Sequence, residues 1–168
     1  LFKVDISDGK KTYSQTWRNN MSVCEPPVID SIKQDPFVRI EFWPDYERFG
    51  GRHDEVKVFT KRAFDTALWC PKANVYFNDF KLTVESFEEY AKMFVGEVPI
   101  AKAGDILVAH SHSGHFEQVS FVNGIATTKG GTHVDKVVNT LVSEISKDKR
   151  VTVKTAQIKA TLFVFVKS

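Results

Sequence analysis

The sequence predicts an α+β protein whose sheets are covered by helices on one side. Three observations carry that expectation. Several short runs alternate apolar and polar residues, as in Arg39-Ile40-Glu41-Phe42, which is the period of a half-buried strand. Two longer stretches repeat apolar residues at helical spacing, the clearer of them from Thr132 to Lys147. The order along the 168 residues is strands and a helix, a break at Cys70-Pro71-Lys72, then strands, helices and a strand.

Taken in order, Leu1 to Ile6 alternates and meets a turn at Asp8-Gly9. Lys11 to Met21 returns, so the pair reads as a hairpin. Cys24 to Pro27 is a loop. Val38, Ile40 and Phe42 face one way and Arg39, Glu41 and Trp43 the other, a half-buried strand ended by Pro44. Asp54 to Trp69 is helical: Val56, Phe59, Ala63, Phe64 and Ala67 share a face, and Asp54 and Glu55 sit at the N-terminal end, where the helix dipole favours acids. The domain boundary is placed after this helix, giving residues 1–72 and 73–168. Asn74 to Phe77 and Phe80 to Val84 flank Asn78-Asp79 as a second hairpin. Ser86 caps a helix running to about Met93. Asp105 to His110 and Phe116 to Val122 form another strand pair. The helix from Thr132 to Lys147 presents Val134, Val137, Val138, Leu141, Val142 and Ile145 on one face, and Leu162 to Val166 is a final buried strand.

Composition narrows the function classes. Hydrophobic residues make up 42% and charged residues 26%, ordinary for a globular protein. The net charge of +2 excludes a polycation, so any nucleic-acid contact comes from a local patch. Cys24 and Cys70 form no metal or disulfide pattern. No apolar run approaches the roughly 20 residues of a membrane helix. The chain opens on a strand-like run without Met and stops inside a strand, so both ends are expected to be cuts through folded protein.

Four clusters could carry chemistry. In Asn123 to Lys136, Lys129 stands before Gly130-Gly131, whereas a phosphate loop needs the Lys after its last Gly. The residues favour a strand-to-helix turn capped by Thr132, with an anion site at the helix N-terminus as the alternative. His110, His112 and His115 lie within six residues around Gly114. They read as a solvated hairpin tip, or otherwise as a zinc cluster lacking a fourth ligand. Lys147, Lys149 and Arg150 end the long helix, either as routine cations opposite its dipole or as contacts to a phosphate backbone. His133 and Asp135 point to different faces, as do Glu88 and Glu89, and no nucleophile elbow is present, so no catalytic constellation is assigned.

Ser120 to Val138, SFVNGIATTKGGTHVDKVV, closely resembles a signature of type IIA DNA topoisomerases, and Lys129 with His133-Val134-Asp135 resembles the eukaryotic members more than gyrase B. Tyr13 to Met21, Arg39 to Gly50, Lys61 to Ala67 and Asn74 to Leu82 resemble further family segments in the same order. The resemblance implies that residues 1–72 are the end of a GHKL-type ATPase domain. Residues 73–168 would then be a transducer domain with a mixed sheet, helices on one face and a left-handed βαβ crossover.

It also implies the work of the whole enzyme. ATP closes a dimeric gate, one DNA duplex is cut, a second is passed through, and the transducer carries the nucleotide state to the DNA gate. ATP and Mg2+ would be held by parts of the parent outside this chain: Gln15-Thr16 is not the family's Gln-Thr-Lys loop. Lys147, Lys149 and Arg150 would contact double-stranded DNA. Asn123, Thr127, Thr128, Lys129, Gly130, Gly131, Thr132 and His133 would form a lever turn. The implied parent is a homodimer in the nucleus, with the mitochondrion or kinetoplast and a virus's host cytoplasm as alternatives. Two other functions are weighed against this one, an ATPase clamp of the mismatch-repair kind and a stand-alone nucleic-acid-binding module.

Overall fold

The structure, a computed structural model, describes residues 1–51, 55–150 and 152–168. Asp54, expected at the start of the first helix, lies outside these. The contacts divide the chain into two compact units, Leu1–His53 and Asp54–Ser168. The sequence break at Pro71 falls inside the second of them.

The first unit is an antiparallel sheet of β1 (Phe2–Ser7), β2 (Thr12–Arg18), β3 (Val23–Cys24), β4 (Val28–Asp30) and β5 (Phe37–Phe42). Its order is β3-β2-β1-β5, with β4 also on β2. The β1–β2 turn is the expected one: the Asp8 carboxylate accepts from the backbone N–H groups of Lys10 and Lys11 at 2.8 and 2.7 Å, and Gly9 takes φ +91°. Register places Phe2, Val4 and Ile6 beside Phe42, Ile40 and Val38. The strand expected to be half-buried is not. Val38, Ile40 and Phe42 are 68%, 59% and 53% exposed, because no described element of this unit lies over that face.

The second unit starts with α1 (Glu55–Trp69), the hairpin β6 (Val75–Phe77) and β7 (Phe80–Leu82), and α2 (Phe87–Val95). Asn78 and Asp79 both take positive φ, the backbone twist that a two-residue hairpin turn requires. Ser86 caps α2 by accepting from the Glu89 N–H at 3.0 Å, as expected. Then come β8 (Ala101–Ala103), β9 (Ile106–His110), β10 (Glu117–Val122), β11 (Ile125–Ala126), α3 (Thr132–Lys147), α4 (Thr155–Ala160) and β12 (Leu162–Lys167). The sheet order is β11-β10-β12-β9-β8.

β9 and β10 are therefore not a hairpin, which corrects the expected strand pair. β12 lies between them, parallel to β10 and antiparallel to β9. The physical reason is its composition. Leu162-Phe163-Val164-Phe165-Val166 is apolar at every position and needs cover on both faces, which a central strand has. Leu162, Val164 and Val166 pack with Val134 and Val138 of α3. Phe163 and Phe165 face the opposite way, into a cluster with Leu68 of α1, Tyr90 and Ala91 of α2, Leu107 and Phe121. So the helices do not share a single face of this sheet: α3 covers one and α1 with α2 the other. Burying Phe121 and Phe165 completely contributes about 2–3 kcal/mol each by area removed from water. Among the described residues no helix is long and apolar enough to cross a membrane.

Candidate nucleic-acid interface and its lever turn

The turn before α3 is built from β10 outward. Asn123 and Gly124 take φ +50° and +79° and fold β10 back onto β11 as a two-residue hairpin, Val122 facing Ile125. The chain then bends at Thr127 to Gly130, where the Gly130 N–H donates to the Thr127 carbonyl at 2.9 Å and Gly130 takes φ +74°. β10 holds this bend through its side chains. The Gln118 amide donates to the carbonyls of Thr127 and Thr128, both at 3.2 Å. The buried Ser120 hydroxyl bonds the Thr127 hydroxyl, and the Thr127 N–H donates to the Ser120 carbonyl at 2.8 Å. Thr127 also meets His133 Nε2 at 3.3 Å.

One expectation changes in detail here. Thr132 is the first residue of α3 and not its cap; the cap is Gly131, and among the described residues no side chain caps the helix. Gly131 takes φ +156°, which residues with a side chain rarely adopt, and a Cβ there would lie 3.1 Å from the His133 ring. Gln118 and Ser120, which sequence reasoning did not single out, are the residues that pin the turn. Their alternation on a strand facing a Thr-rich turn was the available signal. Lys129 is exposed and makes no ion pair with a described residue.

The helix that follows has the expected bounds, Thr132–Lys147. At its end Lys147 pairs with Glu144 at 2.6 Å and Arg150 with Asp148 at 2.6 Å. The Arg150 guanidinium, then its backbone N–H, holds the Asp148 carboxyl below the usual carboxylate range, and Asp148 in turn raises Arg150. Of the three predicted cations only Lys149 has no acidic partner among the described residues. Sequence reasoning missed two more. Lys154 is exposed and precedes α4, its N–H donating to the Gln157 side chain at 3.0 Å. Lys159, on α4, holds its ammonium 5.2 Å from the Phe116 ring centre. With α4 unrecognised, nothing in the sequence brought these lysines back to the loop.

The three histidines do not sit on a hairpin tip. His110 ends β9, and His112 and His115 lie on the crossing from β9 to β10, over the start of β12, where the Ser111 N–H donates to the Thr161 carbonyl at 2.8 Å. The loop is tied by hydroxyls: Ser113 donates to Glu117 at 3.0 Å, and the single Ser111 hydroxyl proton is shared between Glu117 at 2.6 Å and the His115 carbonyl at 2.8 Å. The His110 and His112 ring centres are 5.3 Å apart. Among the described residues no three His, Cys, Asp or Glu side chains converge as a metal site.

The comparisons with known proteins fit this geometry along the whole chain. The family model described as DNA gyrase B matches residues 75–168. DNA topoisomerase 2 of Saccharomyces cerevisiae is 34% identical over 99% of this chain, and DNA topoisomerase 2-beta of Gallus gallus is 37% identical over 94%. The chain spans only 14% and 11% of those relatives' lengths. Among solved structures, the ATPase region of S. cerevisiae topoisomerase II superposes with a TM-score of 0.86 at 34% identity, over 99% of this chain and 47% of that one. The ATPase and transducer domains of DNA topoisomerase II from Balamuthia mandrillaris give 0.78 at 31%, over 98% and 47%. With a pinned turn feeding a long helix and likeness in sequence and fold from end to end, the chain belongs to the DNA gyrase B and topoisomerase II family, in its ATPase and transducer region.

Proposed function

We propose that this chain is the coupling section of an ATP-dependent type II DNA topoisomerase: the end of its ATPase domain followed by its transducer. Residues 1–72 and 73–168 are the corresponding parts in that reading. The single observation that supports it most is the match to the S. cerevisiae ATPase region across 99% of the chain at a TM-score of 0.86. The whole enzyme would bind ATP and Mg2+ through residues outside this chain, act as a homodimer on double-stranded DNA and, in a eukaryote, work in the nucleus.

Coupling here means that two arrangements of the protein differ in their contacts, so that bound nucleotide shifts the population between them. The rigid parts suit that task. β10 and its turn are fixed by Gln118, Ser120 and His133, so a displacement of β10 is carried to the start of α3. The far end of α3 carries Lys147, Lys149 and Arg150, and Lys154 and Lys159 follow it in sequence. These cations would meet the phosphate backbone, giving a salt-dependent contact without sequence preference.

The test is relaxation of supercoiled circles by the full-length enzyme. Relaxation that requires ATP hydrolysis is the expected result. Hydrolysis with no change in topology would contradict it and fit an ATPase clamp instead.

A further inference from the structure

Lys61 of α1 binds one set of acceptors and lines a cavity beside the turn that precedes α3. On one side its ammonium donates to both carboxylate oxygens of Asp65 at 2.9 Å and to the Tyr90 hydroxyl at 3.4 Å. Tyr90 donates onward to Asp65 at 2.5 Å. Asp65 is 5% exposed and Tyr90 fully buried, so this cluster ties α1 to α2 inside the core of the second unit. Burial first, then the bond to Asp65, pushes the Tyr90 hydroxyl up from its ordinary pKa, which keeps it a donor. The Arg62 guanidinium adds a second cation 3.5 Å from Asp65.

On its other side Lys61 walls a cavity of about 140 Å³ together with Gln118, Ser120, Thr127 and Thr128. These are the residues that form and pin the lever turn. The Gln118 amide nitrogen is committed to two carbonyls, which settles which end of the amide is which, since the reverse would set oxygen against oxygen. Its amide oxygen is then buried with no hydrogen-bond partner among the described residues. A buried acceptor without a donor is costly, and the cation among the residues lining the cavity is Lys61. The ammonium carries three N–H donors on a flexible stem, which lets it exchange acceptors.

We propose that Lys61 is a positioning residue with two stations, Asp65 with Tyr90 as seen here and the Gln118 amide oxygen across the cavity. Through the second station α1 sets the placement of the Thr127–Gly131 turn. This rests on the coupling role proposed above and names the contact that performs it. A side chain with two discrete partners on two elements is the kind of bistable link that coupling needs.

The test is a double-mutant cycle in the full-length enzyme with Lys61→Met and Gln118→Met, plus Lys61→Arg. Asp65 keeps Arg62 in all of these. Two readouts are taken: DNA stimulation of ATP turnover, and amide hydrogen exchange of residues 127–131. Lys61→Met is expected to reduce the stimulation about five-fold or more, within the usual range of coupling between sites. It should also speed exchange in the turn, leave basal turnover in place, and be rescued by Lys61→Arg. In both readouts, adding Gln118→Met should cost less in the Lys61→Met background than alone. Independent effects in both readouts would overturn the two-station contact. Exchange that couples as expected in an enzyme with no DNA-stimulated turnover would keep the contact and overturn the role assigned to it, and there the failure belongs to the proposed function.

Discussion

Gly131 and His133 show how narrow the tolerances are at the turn before α3. A Cβ at position 131 would lie 3.1 Å from the imidazole, close enough that the ring must give by a few tenths of an ångström. Gly131→Ala should push the ring off Thr127 and lower stability by about 1 kcal/mol, read as a fall in thermal midpoint, while Thr132→Ala, which removes no cap, should leave it almost unchanged. The basic loop is also decided residue by residue. Glu144 and Asp148 already engage Lys147 and Arg150, which leaves Lys149 and Lys154 as the exposed lysines of the loop without an acidic partner among the described residues. Lys149→Glu should weaken DNA binding and reduce the salt dependence by about one contact's worth. Asp148→Asn should release Arg150 and strengthen binding, measured as a salt titration of DNA affinity.

At the scale of elements, legibility followed how local the cause was. α3 could be read end to end because its apolar face repeats at 3.6 residues over four turns, and Val138→Ala on that face should cost about 2 kcal/mol. The turns at Asp8-Gly9 and Asn78-Asp79 were readable because backbone twist and side-chain capping are properties of the residues themselves. Asp8 yields a pH effect with a definite sign. The Lys11 N–H, then that of Lys10, lowers its pKa, so its stabilisation of the β1–β2 hairpin is present above about pH 4 and lost as pH falls through the lowered folded value. Asp8→Ala should abolish that dependence, visible in the amide shifts of Lys10 and Lys11. Strand order was not readable: β9 and β10 are neighbours in sequence, and only the apolar faces of Phe163-Phe165 and Val164-Val166, satisfied from opposite sides, place β12 between them. The site was partly visible. The turn residues were identified, but Gln118 and Ser120 act on it from a separate strand, and Lys154 and Lys159 come into view only with the short α4.

Across the whole molecule, burial is uneven. The second unit holds the fully buried side chains Tyr90, Phe121, Phe165, Leu107, Val138 and Val164, whereas the first exposes Val38, Ile40 and Phe42 on one face of its sheet. Slowest hydrogen exchange is therefore expected in β12 and its neighbours β9 and β10, and faster exchange throughout β5; equal protection in the two units would contradict this burial pattern. In the coupling role proposed for the chain, the unit with the buried core would carry the turn before α3, while the other leaves a sheet face open among the described residues. The most direct test of that account is unlinking of catenated duplex circles by the full-length enzyme, with and without ATP. Unlinking that depends on ATP and falls when Lys61 is replaced by Met is the predicted result. ATP hydrolysis that leaves the circles linked would contradict it.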